Sequence, residues 1–67
     1  MKSSFIYQGY RIDVFETKTD YRYNIKDKNE KLIIESAIGF PFPYDAELQA
    51  KLYIDRIIKN KDGWIIT

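Results

Sequence analysis

The chain has 67 residues, 45% hydrophobic and 16% aromatic, with no Cys, no His, and 11 Lys+Arg against 10 Asp+Glu. One domain of this size buries only about 60% of the surface its unfolded chain exposes, and without Cys or His neither disulfides nor the usual structural metal sites can reinforce it. A formal net charge of +1 excludes a strong overall field toward nucleic acid or an acidic membrane.

From the N-terminus, Ser4 to Tyr7 reads either as a separate short strand turned at Gln8-Gly9 or as part of a longer strand with Gly9 as a bulge. Tyr10 to Glu16 alternates, with Tyr10, Ile12 and Val14 on one face and Arg11 and Asp13 on the other; Phe15 interrupts the pattern. The polar Thr17-Lys18-Thr19-Asp20 has the length of a hairpin loop. Tyr21 to Lys26 then sends Tyr21, Tyr23 and Ile25 one way and Arg22, Asn24 and Lys26 the other. Asp27 to Glu30 is a second turn, leading to a third strand at Lys31 to Ser36 in which Leu32 and Ile34 should share a face and Ile33 oppose them.

Two prolines make Ala37 to Tyr44 a stiff connection, since each removes a backbone donor and biases its predecessor toward extended geometry. A helix is expected from about Asp45 to Asn60, with Asp45 as its cap, Glu47 in the first turn, and Arg56, Lys59 and Lys61 near the far end. At 100° per residue, Ala46, Ala50, Tyr53, Ile54, Ile57 and Ile58 form one broad stripe suited to lie across the sheet. Leu48 and Leu52 fall on the opposite side. Beyond the Gly63 stop signal, Trp64-Ile65-Ile66 is apolar enough for a short final strand or a packed tail. The expected fold is α+β: one domain, an antiparallel sheet of three or four strands, and one helix across one face.

Catalytic chemistry finds little footing, because the chain has no His for proton transfer near neutral pH and no Cys nucleophile, and its carboxylates are spread among as many cations. Asp27-Lys28-Asn29-Glu30-Lys31 begins like a calcium loop but has Lys31 where a ligand is needed and no following glycine. The glycines Gly9, Gly39 and Gly63 are too far apart for a phosphate cradle. No enzyme activity, metal or cofactor is expected. No apolar run approaches the length needed to span a bilayer, and Met1 to Tyr7 lacks a signal-peptide core, so a cytoplasmic location is expected.

Binding surfaces are the remaining option. Phe40, Phe42 and Tyr44 lie in the stiff proline loop, where rigid aromatics lose little entropy on meeting a partner, and Leu48 and Leu52 add an adhesive pair one helical turn apart. These five residues are the candidate contacts for a protein partner or for self-association. The alternative is a nucleic-acid-binding sheet face with Arg11, Arg22, Lys26 and Lys31 on phosphates and Phe15 stacking on a base, weakened by Asp13 and Glu35 beside them.

The succession of Tyr7-x-Gly9-Tyr10-x-Ile12-x-Val14, Tyr21-x-Tyr23-x-Ile25-x-Asp27, Ile33-x-Glu35-Ser36 and a helix ending Tyr53-Ile54-Asp55-Arg56-Ile57-Ile58 resembles small uncharacterised bacterial and phage single-domain proteins. The resemblance covers Tyr7 to Ile58 and implies no activity and no site residues. In size and lack of catalytic groups the chain is also similar to phage-encoded inhibitors of host defence, anti-CRISPR proteins among them. The expectation is a non-enzymatic protein-binding module or inhibitor that acts by occupying a surface.

Overall fold

The computed structural model describes residues 2–61. Four strands, β1 (Lys2–Tyr7), β2 (Tyr10–Glu16), β3 (Tyr21–Lys26) and β4 (Leu32–Glu35), form an antiparallel sheet in sequential order, and one helix, α1 (Pro43–Lys61), packs on one face. The α+β architecture expected from the alternation is the one observed. The proposed final strand at Trp64 to Ile66 lies outside the described residues.

Gln8-Gly9 is a true hairpin turn. Both residues have positive φ, 53° and 84°, the pairing of a two-residue loop whose twist matches that of the flanking strands. Gln8 therefore holds a left-handed conformation that glycine or asparagine adopts at less cost. At the third turn, Asp27 Oδ1 accepts the amides of Asn29 and Lys31 at 2.8 and 3.0 Å, and Glu30 takes φ 67° to close the loop.

Period-two alternation puts Ile12, Val14, Tyr23 and Ile25 under the helix, and the register sets Phe5, Ile12, Ile25 and Ile34 side by side across the four strands. The helix answers with Ala46, Ala50 and Ile54, all fully buried. Two alanines bring the helix close enough to the sheet for Ile54 to reach the same core. Tyr53, Ile57 and Ile58 pack at its margin, so the whole expected stripe lies against the sheet. Burial of Ile54 alone is worth about 2–3 kcal/mol.

Two local expectations are corrected. The ladder between β3 and β4 shifts register between Ile25 and Lys26, so Ile34 still faces Ile25 but Leu32 comes opposite Lys26 and is 48% exposed. An irregularity of this kind breaks strict alternation, and Leu32 and Ile34 no longer share a face. The helix lies within two residues of the expected Asp45 to Asn60, but its cap is Phe42, not Asp45: the Phe42 carbonyl accepts from the amides of Asp45 and Ala46 at 3.1 and 3.4 Å. Proline's fixed φ and missing amide suit the first helical position, which leaves Asp45 as the acidic residue of the first turn.

The segment before the helix stays on the β3 edge. Phe40 exchanges two backbone hydrogen bonds with Tyr21, both 2.8 Å, and stacks its ring on Tyr23 at 6.1 Å. Gly39 must be glycine for this return, because a Cβ there would overlap the Asp20 side chain.

Candidate protein-binding surface

The five contacts expected from sequence divide into two groups. Phe40 is half-buried at the core margin through its bridge to Tyr21 and its stacking on Tyr23, so it closes one end of the core. Phe42, Tyr44, Leu48 and Leu52 are 64%, 67%, 41% and 50% exposed. Phe42 has a local reason for its position, because its carbonyl caps the helix while its ring points away from the core. Tyr44, Leu48 and Leu52 follow one another at i, i+4 and i+8, which places them along one side of α1.

That side is opposite the buried one. Ala46, Ala50 and Ile54 have the same spacing, displaced by two residues, about 200° around the helix axis. α1 therefore carries two apolar stripes, and the sheet covers one. On the β1 flank, Lys51 pairs with Glu47 at 3.0 Å and lies over the Phe5 and Tyr7 rings at 5.5 and 5.6 Å. Tyr7 donates to Asp55 at 2.9 Å, and that bond, with desolvation, holds the phenol above its ordinary pKa. These contacts tie β1 to the helix, and among the described residues the outer stripe is left uncovered.

Two hollows adjoin Leu52. One, of about 280 Å³, is lined by Leu52, Asp55, Arg56 and Lys59; the other is lined by Tyr23, Gln49, Leu52, Tyr53 and Arg56. Helical spacing sets Asp55 and Lys59 on the side of Leu48 and Leu52, but sequence reasoning missed Arg56 and the hollow that these residues form with Leu52. The i, i+3, i+4, i+7 spacing from Leu52 could have shown them, since four residues so placed outline a socket on a helix.

The sheet face away from the helix is organised differently. Arg11, Arg22 and Lys26 all lie there, and each has a carboxylate partner. Arg11 Nε meets Asp13 at 3.1 Å and its Nη1 meets Glu30 at 3.0 Å; Arg22 Nε meets Asp20 at 3.2 Å; Lys26 lies 3.9 Å from Asp13. Lys31 stands apart, exposed in the turn before β4.

Asp13 is the centre of this face and is 5% exposed although it points away from the hydrophobic core. Burial works to raise its carboxyl, but the Ser4 hydroxyl, Arg11 and Lys26 outweigh that and hold it below the ordinary value. Asp20 is likewise held low, by the Thr17 hydroxyl at 2.6 Å and by Arg22. Asn24, across from Asp13 and Glu35, has a buried Oδ1 with no partner among the described residues. Paired cations around a central carboxylate are poorly disposed to bind phosphates, because each would first have to leave a partner.

The chain matches no protein-family model, no curated protein and no solved structure. Among the described residues, no helix is long and apolar enough to cross a membrane.

Proposed function

We propose that this chain is a non-enzymatic protein-binding module that engages its partner through the outer face of α1, with Tyr44, Leu48 and Leu52 as the principal contacts and Phe42 at the end of the surface. The observation that supports this reading is the second apolar stripe itself. Single exposed apolar residues are ordinary on a protein surface, but three in register along a rigid helix form a ready-made contact of the helix-in-groove kind. An inhibitor would use the same surface to occupy that of its target.

The test is affinity capture from a lysate of the source organism, with nuclease treatment, by the wild-type chain and by Leu52→Lys. Leu52 is half exposed, so the variant should fold, which circular dichroism checks. Protein capture that survives nuclease and disappears in folded Leu52→Lys supports the reading. Capture that Leu52→Lys leaves unchanged removes the helix face from consideration. Capture lost on nuclease treatment, and sensitive to Arg11→Ala and Lys26→Ala, would favour the sheet face and nucleic acid.

A further inference from the structure

We infer that the partner seated on the Tyr44, Leu48, Leu52 stripe is a second copy of this chain, its α1 packed antiparallel about a two-fold axis that passes between Leu48 and Leu52. The inference rests on the protein-binding reading above and adds the identity and orientation of the partner.

Charge selects the orientation. Asp45 and Glu47 leave the first half of α1 net negative despite Lys51, and Arg56 and Lys59 outweigh Asp55, which Tyr7 already engages, in its second half. Antiparallel helices set the acidic, dipole-positive end of one copy beside the basic, dipole-negative end of the other; parallel helices would set like beside like.

Shape selects the register. Leu52, Asp55, Arg56 and Lys59 surround a hollow of about 280 Å³, the four-residue socket that receives a side chain from a facing helix. With the axis between Leu48 and Leu52, Leu48 of each copy faces Leu52 of the other. The same symmetry brings Tyr44 opposite Arg56, where its ring enters the hollow with a guanidinium beside it. Each contact is made twice, as a two-fold interface requires. The seam from Tyr44 to Arg56 is roughly 18 Å long, shorter than permanent dimers use, so the dimer forms in the micromolar to millimolar range.

Because the chain lacks Cys, single-cysteine variants report contacts without background. Tyr44→Cys and Arg56→Cys chains are mixed in equal amounts under mild oxidation and the disulfide-linked dimers are weighed by mass spectrometry. Sedimentation equilibrium of the wild type and Leu52→Lys accompanies this. The expected results are a mixed 44-to-56 dimer well above the twofold excess of random pairing, and a dissociation constant raised at least about tenfold in Leu52→Lys.

Dominant like-with-like disulfides overturn the antiparallel arrangement. A wild-type chain monomeric to millimolar concentration overturns self-association. If Leu52→Lys then still abolishes capture of another protein, the binding reading stands without this inference; if capture is unaffected, both fall. A wild-type monomer that dimerises only once residues 62–67 are removed assigns the stripe to the chain's own C-terminal segment and also overturns the proposal.

Discussion

The two stripes of α1 are built from the same arithmetic and meet opposite fates. Ala46, Ala50 and Ile54 are fully buried against β2 and β3, while Tyr44, Leu48 and Leu52, with the same spacing, keep between 41% and 67% of their surface in solvent. Helical periodicity tells how many apolar faces an element has. Which face the fold uses depends on side-chain size, because the small Ala46 and Ala50 let the helix settle onto Ile12 and Ile25, whereas Tyr44 and Leu48 would hold it off. The inner stripe therefore carries the stability of the fold, and the outer stripe is the face on which the proposed contact would form.

The sharpest way to break this contrast is to truncate one residue on each side. Ile54→Ala should cost about 2–5 kcal/mol in urea unfolding, because it removes a fully buried side chain where Ala46 and Ala50 cannot fill the cavity. Leu52→Ala, measured at concentrations that keep the chain monomeric, should stay within about 0.5 kcal/mol of the wild type. Comparable losses at the two positions would mean that the outer stripe belongs to the fold.

The open face of the sheet offers a second control, since Arg11, Arg22 and Lys26 there are paired with carboxylates of the same chain. Asp13→Asn should cost about 1–3 kcal/mol by weakening the contacts of Arg11, Lys26 and Ser4 with a buried acceptor. Its pH signature has a definite sign. The folded Asp13 carboxyl lies below its ordinary value of 3.8, so the native state binds fewer protons than the unfolded state over the interval between the two. The stabilisation is present above that ordinary value and is lost as pH falls through the folded one. Acid unfolding of Asp13→Asn should accordingly be less steep there than that of the wild type.

A small stabilising effect at the first turn serves to sharpen the others. Gln8→Asn keeps the positive φ of the β1–β2 turn at lower cost and should stabilise the chain by about 0.5–1 kcal/mol in thermal unfolding. In that background the outer-stripe variants can be compared with less interference from unfolding. A loss of stability would show that the Gln8 side chain contributes more than its backbone conformation costs.

Much of the fold was legible because β2, β3 and the buried stripe of α1 each obey one period over several residues. Alternation alone assigns Tyr10, Ile12 and Val14, then Tyr21, Tyr23 and Ile25, to the inner face, where all six lie in the core or against it. Legibility failed where a single local feature overrode the period. The register shift beside Lys26 turned Leu32 away from Ile34, and Pro43 started the helix before the first acidic residue. The Gln8-Gly9 alternatives could be separated only by backbone dihedrals.

The candidate surface was legible in part for the same reason. Leu48 and Leu52 were visible by spacing, and Tyr44 was visible as an aromatic residue of the proline loop, though not as a member of the helical stripe. Phe40 could not be told from Phe42 because a long-range bridge to Tyr21, not local sequence, draws only the first toward the core. The burial of Asp13 was equally hidden, since its partners Ser4 and Lys26 come from neighbouring strands.

The most direct measurement is a methyl-resolved NMR dilution series of the wild-type chain, with Leu48 and Leu52 followed beside Ile12, Ile25 and Ile54. The Leu48 and Leu52 signals should move with concentration while those of the three core isoleucines stay fixed. Leucine signals that do not move up to millimolar concentration, or shifts confined to Ile6, which is 69% exposed beside Arg11 on the open sheet face, would contradict self-association through the outer stripe.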